Sequence, residues 1–308
     1  MKIAVQMDAP DTLNPAGDST IALMREAAKR GYHLYYYRAH ELTLCEGDII
    51  APLRLLHINN GEEWYDMHPP VMTSLHAMDA VLMRQDPPFD MGYITATYML
   101  DRLDNVIVLN DPTSVRSYPE KLLPFDYIEA MPDTLITMHQ DIIRDFLSEH
   151  QDIILKPLYG WGGHSVLRLR HGGDNVEALL EMLQERDTLP VIAQPFLPDV
   201  SKADIRVVLI NGKNSGAFAR TPMQGEVRAN MRVGGQPVEI ELNEAQQTLC
   251  HQVAADLKDK GLYFAGLDFI GNMLTEINVT SPTGIKTIET LYGTSPAADF
   301  WDGVTAAP

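Results

Sequence analysis

The sequence has only two cysteines, Cys45 and Cys250, in 308 residues. They lie far apart and in no paired motif, so the sequence indicates neither a disulfide framework nor a zinc site. It has no apolar run near the roughly 20 residues that would span a membrane. Residues 1–8 run directly into a strand-like segment without the apolar core of a signal peptide. We therefore expect a cytoplasmic protein with no membrane partner.

Basic residues are also scarce: 24 lysines and arginines stand against 42 acidic residues, giving a net charge of −18. This balance argues against nucleic acid as a partner, because phosphate backbones require a basic surface. One window reverses the trend. Residues 201–232 hold six basic and two acidic residues, a local charge of +4. The reversal indicates either a site for small anions or an exposed basic strand and loop.

Residues 265–280 form two apolar runs on either side of Gly271-Asn272, a pattern typical of a β-hairpin. The runs contain three side chains with oxygen donors, Asp268, Glu276 and Asn278. An acid in an apolar strand is expected to be paired or to bind a cation, because burying a lone charge is costly. Carboxylate and amide oxygens suit Mg²⁺. The hairpin is therefore a candidate metal site, and a half-buried hairpin with solvated acids is the alternative.

The two acids share a face only if the hairpin departs from a strict two-residue loop. With such a loop, Asp268 lies opposite Thr275, and Glu276 points to the other face because side chains alternate along a strand. A three-residue loop or a β-bulge would bring the acids together. Asn278 shares the face of Glu276 in either case.

The first 110 residues or so alternate between strand and helix patterns. Strands are predicted over residues 2–7, 32–37, 77–83 and 106–109, and helices over 18–28 and 93–103. This alternation predicts a parallel α/β layer. Ligand contacts are expected where the strands of such a layer end. The polar residues near those ends are Asp8, Asp18, Ser19 and Arg84.

Two further regions follow, and we place the domains at residues 1–118, 119–190 and 191–308. The second region is predicted to contain a helix around Lys121 and a hairpin of residues 153–155 with 166–169. The third is predicted to be rich in strands, starting at Val191. It includes the candidate metal hairpin and an amphipathic helix over residues 246–258.

A glycine-rich segment, residues 156–165, separates the two strands of the second region's hairpin. Glycines let a backbone turn sharply and direct its N–H groups at an anion. The segment lacks the Gly-Lys-Ser/Thr of a Walker A loop and the third glycine of a dinucleotide fingerprint. With Lys156 beside it, it is a candidate phosphate lid, and an ordinary glycine hairpin next to a surface lysine is the alternative.

The order of these elements resembles that of the ATP-grasp ligases, and within them the bacterial glutathione synthetases. The resemblance covers nearly the whole chain. It rests on Met83-Arg84-Gln85-Asp86-Pro87-Pro88-Phe89-Asp90, on Ile154-Leu155-Lys156-Pro157-Leu158 with its glycine loop, on Gly266-Leu267-Asp268, and on Thr275-Glu276-Ile277-Asn278-Val279-Thr280-Ser281-Pro282-Thr283-Gly284. The last motif is the most specific. Tyr159 and Trp161 are bulkier than the family pattern.

The resemblance implies an α/β fold of the ATP-grasp (α+β) kind, in which a parallel N-terminal domain precedes two antiparallel-sheet subdomains that sandwich ATP. It implies that Asp268, Glu276 and Asn278 bind Mg²⁺, or Mn²⁺ in its place, and that the chain forms a homo-oligomer. The residues implied to contact ATP are Lys121, Lys156, Gly160, Gly162, Gly163, Gln194, Phe196, Leu197 and Asp204. Arg206, Arg220 and Lys156 are implied to act in catalysis, and Asp18, Ser19, Arg84, Arg228 and Asn230 to bind γ-glutamylcysteine and glycine.

The implied reaction is ligation of γ-glutamylcysteine to glycine through an acyl phosphate, giving glutathione, ADP and phosphate. Such chemistry needs positioning and charge neutralisation more than a nucleophilic side chain. An acyl phosphate must be kept from water, so a closing lid is expected. We place this lid at residues 221–237 and expect it to be poorly ordered without substrates.

Two other functions are compatible with the same sequence elements. One is another ATP-grasp carboxylate–amine ligase, such as a glutamate-adding or dipeptide ligase, with the same phosphate and metal elements. The other is a regulatory ATP-binding protein that has lost its chemistry. Loss of a metal ligand or of a phosphate-binding lysine would favour the regulatory protein, and this sequence keeps all of them.

Overall fold

The computed structural model describes residues 1–59, 61, 63–163, 165–186, 189–201, 204–221 and 235–306. Three sheets organise this part of the chain. None of its helices is long and apolar enough to cross a membrane.

The first sheet is built by residues 2–109, with helices on its flanks. In chain order its elements are β1 (Lys2–Gln6), α1 (Ser19–Lys29), β2 (His33–Tyr37), β3 (Thr43–Cys45), β4 (Asp48–Ile58), β5 (Tyr65–Met67), β6 (Val71–Ser74), β7 (Ala80–Met83), α2 (Met91–Leu100) and β8 (Ile107–Leu109). The order is β3-β4-β2-β1-β7-β8, with β5 and β6 also pairing with β4. As predicted, the side chain of Asp18 caps α1 by accepting from the amides of Thr20 and Ile21.

The parallel layer that the sequence predicted also carries antiparallel strands over residues 43–74, for which no strand was predicted. Strands β1, β2, β7 and β8 are parallel as expected, but β4 runs antiparallel to β2 and pairs antiparallel with β3, β5 and β6. A tight turn at Glu46-Gly47, where both residues have positive φ, returns the chain directly. A direct turn forces an antiparallel neighbour, because a parallel one needs a long crossover.

The segment around Lys121 is also not helical. The short helix α3 (Pro112–Ser117) ends before it, and a 3-10 helix begins at Leu123, which leaves Lys121 in a turn. Pro119 and Pro124 flank the lysine, and proline lacks the amide that a helix interior requires.

The second sheet is a four-stranded antiparallel layer in the order β11-β10-β12-β9. Its elements are β9 (Leu135–Thr137), α4 (Gln140–His150), β10 (Asp152–Pro157), β11 (Leu167–Arg170), α5 (Val176–Arg186) and β12 (Val191–Pro195). The predicted hairpin is therefore present as β10 and β11. Strand β12 was expected to open the third region, but it pairs with β10 and β9. The boundary that we infer between the second and third regions therefore moves to about residue 197.

The third sheet is antiparallel in the order β15-β14-β13-β16-β17. Its region contains β13 (Asp204–Ile210), β14 (Lys213–Thr221), β15 (Gln236–Glu239), α6 (Glu244–Asp259), β16 (Phe264–Ile270), β17 (Met273–Asn278), α7 (Ile285–Tyr292) and α8 (Pro296–Thr305). The C-terminal helices also pack on the first domain. Trp301 of α8 is fully buried, and its indole N–H donates to the Leu23 carbonyl of α1 at 2.9 Å.

Candidate active site

A cavity of about 240 Å³ is lined by residues of both antiparallel sheets. All of the residues that the sequence assigned to ATP, metal and catalysis lie around it. They are Lys121, Lys156, Gly160, Gly162, Gly163, Gln194, Phe196, Leu197, Asp204, Arg206, Arg220, Asp268, Glu276 and Asn278. The two sheets therefore bring together side chains separated by more than 150 positions in the sequence.

A β-bulge places the two hairpin acids on one face. The turn at Gly271-Asn272 pairs Ile270 with Met273, but the register shifts between Asp268 and Phe269, so that Asp268 lies opposite Glu276. The sequence required a bulge or a longer loop for these acids to meet, and the structure uses the bulge. Thr275 is the extra residue, and its hydroxyl donates to the Asp268 carbonyl at 3.1 Å.

Asn278 completes a set of three oxygen-bearing side chains on this face. Its Nδ2 donates to Oδ2 of Asp268 at 3.2 Å. No cluster of three or more histidine, cysteine or acidic residues suited to a metal occurs among the described residues, so the donors here are two carboxylates and an amide. This is an all-oxygen donor set of the kind that Mg²⁺ binds.

A buried network of two arginines and two aspartates extends across β13, β14 and β16. Arg206 donates from Nε to Oδ1 of Asp268 at 2.6 Å and from an Nη to Oδ2 at 2.7 Å. Arg220 contacts Oδ1 of Asp204 at 2.6 Å and Oδ1 of Asp268 at 2.9 Å. Gly266 leaves room for this network, because a Cβ there would come within 3.1 Å of an Arg206 Nη.

The network sets the charges of its members. Burial disfavours the ionised Asp268 carboxylate, but Arg206 and Arg220 outweigh burial and hold its pKa below the usual range. Burial alone would lower the pKa of Arg220, yet Asp204 and Asp268 raise it. The pKa of Asp204 is raised, because burial outweighs its pairing with Arg220.

Two lysines contribute positive charge to the cavity. Lys121 donates to the Gly160 carbonyl and pairs with Oε1 of Glu276 at 2.9 Å. Burial opposes ionisation of Glu276, but Lys121 and Lys156 lower its pKa. Lys156 itself has no hydrogen bond or ion pair with the residues that the structure describes, and burial lowers its pKa despite the attraction of Glu276. It points into the cavity because its neighbours on β10, Ile153 and Leu155, point into the core.

The glycine loop covers this end of the cavity. Gly162 and Gly163 have φ of 62° and 78°, in the left-handed region that favours glycine. The ring of Tyr159 stacks on Phe89 of the first domain with 6.2 Å between centroids. Residue 164 lies outside the described residues.

Three of the residues implied to contact ATP, Gln194, Phe196 and Leu197, lie at and just after the end of β12 and line the cavity. Gln194 is buried, and its Nε2 donates to the Thr134 hydroxyl at 3.0 Å. The guanidinium of Arg168 lies 3.3 Å from the centroid of the Phe196 ring. Arg168 is in turn paired with Asp152 at 2.6 Å.

The residues assigned to the peptide and glycine lie elsewhere. Asp18 caps α1, and the hydroxyl of Ser19 accepts from the amides of Gly284 and Ile285 at 3.0 and 3.2 Å. Arg84 is buried, does not line the cavity, and donates to the Pro282 carbonyl at 2.9 Å and to the Thr20 hydroxyl at 3.1 Å. These contacts hold the loop after β17 against the first domain.

The structure describes only part of the predicted substrate site and lid. Arg228, Asn230 and residues 222–234 of the lid lie outside the described residues. Of the basic window, Arg206 and Arg220 are buried in ion pairs, whereas Lys213 is exposed.

Sequence reasoning missed Glu120, which lines the cavity beside Lys121. Its Oε1 accepts from the amides of Val279 and Thr280 at 2.9 and 3.0 Å and from the Thr280 hydroxyl at 2.7 Å. Burial, and then the charge of Glu276, raise the pKa of Glu120. The only signal in the sequence was its position next to a lysine already assigned to phosphate.

Comparison with known proteins agrees with this geometry. The model of the prokaryotic glutathione synthetase N-terminal domain matches residues 1–116, and that of the ATP-grasp domain of prokaryotic glutathione synthetase matches residues 120–293. The chain is 44% identical over 308 residues to the glutathione synthetase of Brucella melitensis biotype 1, with 99% of both chains covered. It is 42% identical over 306 residues to that of Mesorhizobium japonicum, covering 99% of this chain and 98% of the relative.

Among solved structures, that of D-cycloserine synthetase DcsG superposes with a TM-score of 0.71 at 15% identity, covering 99% of this chain and 98% of that one. At this identity the likeness concerns the fold alone. The family matches confirm the resemblance that the sequence motifs indicated. The chain belongs to the prokaryotic glutathione synthetase family and is an ATP-dependent ligase with the ATP-grasp fold.

Proposed function

We propose that the cavity joins the cysteine carboxyl group of γ-glutamylcysteine to the amine of glycine at the expense of ATP, making glutathione. One observation supports this most directly. Asp268, Glu276 and Asn278 face the same cavity as Lys156, a cation without an ion-pair partner among the described residues. A free cation beside an oxygen-rich cluster is what a metal–polyphosphate ligand requires.

The charge of the cavity supports a divalent cation as part of this ligand. Its described lining holds four basic side chains, Lys121, Lys156, Arg206 and Arg220, and five acidic ones, Asp86, Glu120, Asp204, Asp268 and Glu276. A triphosphate would add further negative charge to a site that already lacks a positive excess. Asp268, Glu276 and Asn278 would hold Mg²⁺, because together they form an all-oxygen donor set of the kind that this ion prefers. When bound, Mg²⁺ neutralises phosphate oxygens.

The chain's own residues then bind and orient the reactants. Lys156 and Lys121 supply positive charge to the phosphates, and the N–H groups of the glycine loop cover them. A carboxylate oxygen of the peptide attacks the γ-phosphorus of ATP, ADP leaves, and an acyl phosphate forms. The amine of glycine attacks the acyl carbon, loses a proton, and releases phosphate. Arg220 and Arg206 are assigned to offset negative charge during both steps.

Gln194, Phe196 and Leu197 are assigned to the adenine side of the nucleotide, and Asp204 is assigned to nucleotide binding as well. We assign the peptide and glycine to the region bordered by Asp18, Ser19 and Arg84, and we assign Arg228 and Asn230 to the same substrates from the family resemblance alone. Since Ser19 and Arg84 hold the loop of residues 281–285, they would act on these substrates in part through that loop.

A phosphate-release assay tests the proposal. The complete mixture contains γ-glutamylcysteine, glycine, ATP and Mg²⁺, and each component is omitted in turn. We expect phosphate and glutathione in equal amounts from the complete mixture, and little phosphate when the peptide is absent. Equal turnover with another acceptor amine in place of glycine, or with another peptide, would assign the chain to a different ligase specificity.

A further inference from the structure

Strand β17 carries Glu276 and Asn278 at the edge of the third sheet, where the described part of the chain gives it a neighbouring strand on one side only. The outward amides of an edge strand need other partners. Glu120 supplies them at two alternate positions. Its main-chain carbonyl accepts from the amide of Ile277 at 3.1 Å, and its side chain accepts from the amide of Val279 at 2.9 Å.

These two contacts determine which way the strand faces. The side chains of Ile277 and Val279 are fully buried in the core. The side chains of Glu276 and Asn278, which alternate with them along the chain, line the cavity. Because side chains alternate along a strand, fixing the amides of residues 277 and 279 also fixes the direction of the two cavity-facing side chains.

Val279 is held from a second direction as well. The buried side chain of Asn110 donates from Nδ2 to the Val279 carbonyl at 2.7 Å and to the Phe264 carbonyl at 2.8 Å. Both polar main-chain groups of Val279 are thus bonded to side chains that come from outside the third sheet.

The residue after Glu120 is Lys121, the lysine that is assigned to the phosphates of ATP. Its ammonium reaches Oε1 of Glu276 at 2.9 Å. A shift of Glu120 would therefore displace Lys121 and the strand carrying Glu276 together.

Pairing with a base does not explain why an acid occupies this position. Glu120 forms no ion pair with any basic side chain in the described part of the chain, and it lies close enough to Glu276 to be repelled by it. Its Oε1 nevertheless accepts three hydrogen bonds, all from the chain immediately after Asn278.

We propose that Glu120 is a positioning residue for the ligase reaction: it orients the metal-binding edge strand and Lys121 so that both meet the phosphates of the nucleotide. The proposal rests on the proposed function for its substrates. It does not depend on which amine or peptide is joined, because the residues that it positions contact ATP and metal.

Two variants separate hydrogen bonding from charge. Glu120→Gln keeps an oxygen that can accept the same three hydrogen bonds, whereas Glu120→Ala removes it. Glu41→Ala is the control for loss of a carboxylate away from the cavity: Glu41 accepts from the main-chain amide of Arg38 at 2.8 Å and also pairs with Arg54 at 2.7 Å.

Binding of Mg·AMPPNP, measured by calorimetry, is the first measurement. We expect Glu120→Ala to weaken it by about 10- to 100-fold, the range typical when a group that orients metal ligands is lost. Glu120→Gln and Glu41→Ala should bind like the wild type. Unchanged binding by Glu120→Ala, or equal losses in Glu120→Ala and Glu120→Gln, would overturn the proposal.

Residue-resolved amide exchange checks the structural cause. In Glu120→Ala the amides of Val279 and Thr280 should exchange faster, while that of Ile277 stays protected because its acceptor is a main-chain carbonyl. Equal protection of Val279 in the wild type and in Glu120→Ala would contradict the assigned contact.

Steady-state kinetics separate this proposal from the proposed function. Glu120→Ala should raise the KM for ATP and lower kcat, with the KM values for peptide and glycine near those of the wild type. Equal increases in all three KM values would indicate a general structural role and overturn the proposal. A wild-type protein that makes no glutathione would refute the proposed function, while the binding and exchange measurements would still test Glu120.

Discussion

Arg206 and Asp268 face each other across β13 and β16 and are joined by two parallel hydrogen bonds of 2.6 and 2.7 Å. Both side chains are almost fully buried, with 7% and 5% of their surfaces exposed. A fork-to-fork pair of this kind fixes both position and orientation. It explains how an acid can remain charged and correctly aimed in an apolar strand before any metal binds.

Removing Arg206 should destabilise the fold, because it leaves the buried Asp268 carboxylate paired with one arginine, Arg220, in place of two. We expect Arg206→Ala to lower the free energy of unfolding by about 3 kcal/mol, near the lower end of values for a broken buried pair. The free energy of unfolding of Arg206→Lys should lie between those of the wild type and Arg206→Ala. Urea denaturation measures the difference. Arg170→Ala is the control, since Arg170 is 65% exposed and meets Asp152 only at 3.4 Å; a similar loss in both variants would contradict this account of the buried pair.

Replacing Lys156 should raise the free energy of unfolding rather than lower it, because this cation has no ion-pair partner among the described residues until a ligand binds. Replacing it by Met removes the cost of keeping an unpaired ammonium in the cavity, so Lys156→Met should stabilise the ligand-free protein by about 1 kcal/mol. The same change should weaken nucleotide binding about 10- to 100-fold through loss of a charged hydrogen bond. Thermal denaturation and calorimetry measure the two effects. Lys213→Met, at an exposed lysine, should change neither; a destabilised Lys156→Met protein would count against the assigned role.

Glu276→Gln should abolish turnover while leaving the protein folded. The amide keeps the shape but loses the charge that binds metal, so kcat should fall by about 100-fold or more. Activity as a function of Mg²⁺ concentration and a circular dichroism spectrum test both parts. Glu289→Gln, which loses a pair with Lys286 on α7, serves as the control. Wild-type turnover by Glu276→Gln at ordinary Mg²⁺ concentrations would remove this residue from the metal site.

The sequence was most informative where chemistry and strand periodicity coincide. Asp268, Glu276 and Asn278 were unusual as polar residues in apolar runs, and the alternation rule even indicated that a bulge or a longer loop was needed. Lys156 and its glycine loop could also be identified from the sequence, because a run of glycines beside a lysine is a local pattern. The motifs did not require knowledge of the fold, because each is a local pattern.

Long-range pairing could not be predicted from local patterns. Strand β12 has the same apolar character whether it joins the second or the third sheet. Its pairing with β10 and β9 is what assigns it to the second sheet. Likewise, residues 43–74 gave no sign that β4 would lie antiparallel to β2. Glu120 could not be identified from the sequence, because its role depends on contacts with an edge strand about 160 residues away.

The stack of Tyr159 on Phe89 connects the glycine loop to the first domain. Tyr159→Ala should loosen the loop and admit water, so that part of the acyl phosphate hydrolyses before glycine attacks. The ratio of phosphate released to glutathione formed should therefore exceed one in this variant. Tyr159→Phe keeps the ring and should retain a ratio of one. Equal ratios in both variants would show that the stack does not affect exclusion of water.

Asp152 should give the fold a pH-dependent contribution at low pH. Its hydrogen bonds with Arg168 lower its pKa, so near pH 4 the folded state binds fewer protons at this site than the unfolded state. The contribution is therefore complete above the unfolded pKa of about 3.9 and is lost as the pH falls through the lower folded value. Urea denaturation from pH 6 to pH 3 should show the stability advantage of the wild type over Asp152→Asn shrinking below about pH 4. An advantage that does not change with pH would contradict the pairing.

The formation of an acyl phosphate in this cavity is tested most directly by isotope transfer. The reaction is run with γ-glutamylcysteine whose cysteine carboxylate carries ¹⁸O in both oxygens, and the released phosphate is analysed by mass spectrometry. We expect each phosphate to carry one ¹⁸O, because the oxygen that attacked ATP leaves with phosphorus when glycine enters. Phosphate without label, released together with glutathione, would show that the carboxylate is not phosphorylated and would contradict the mechanism.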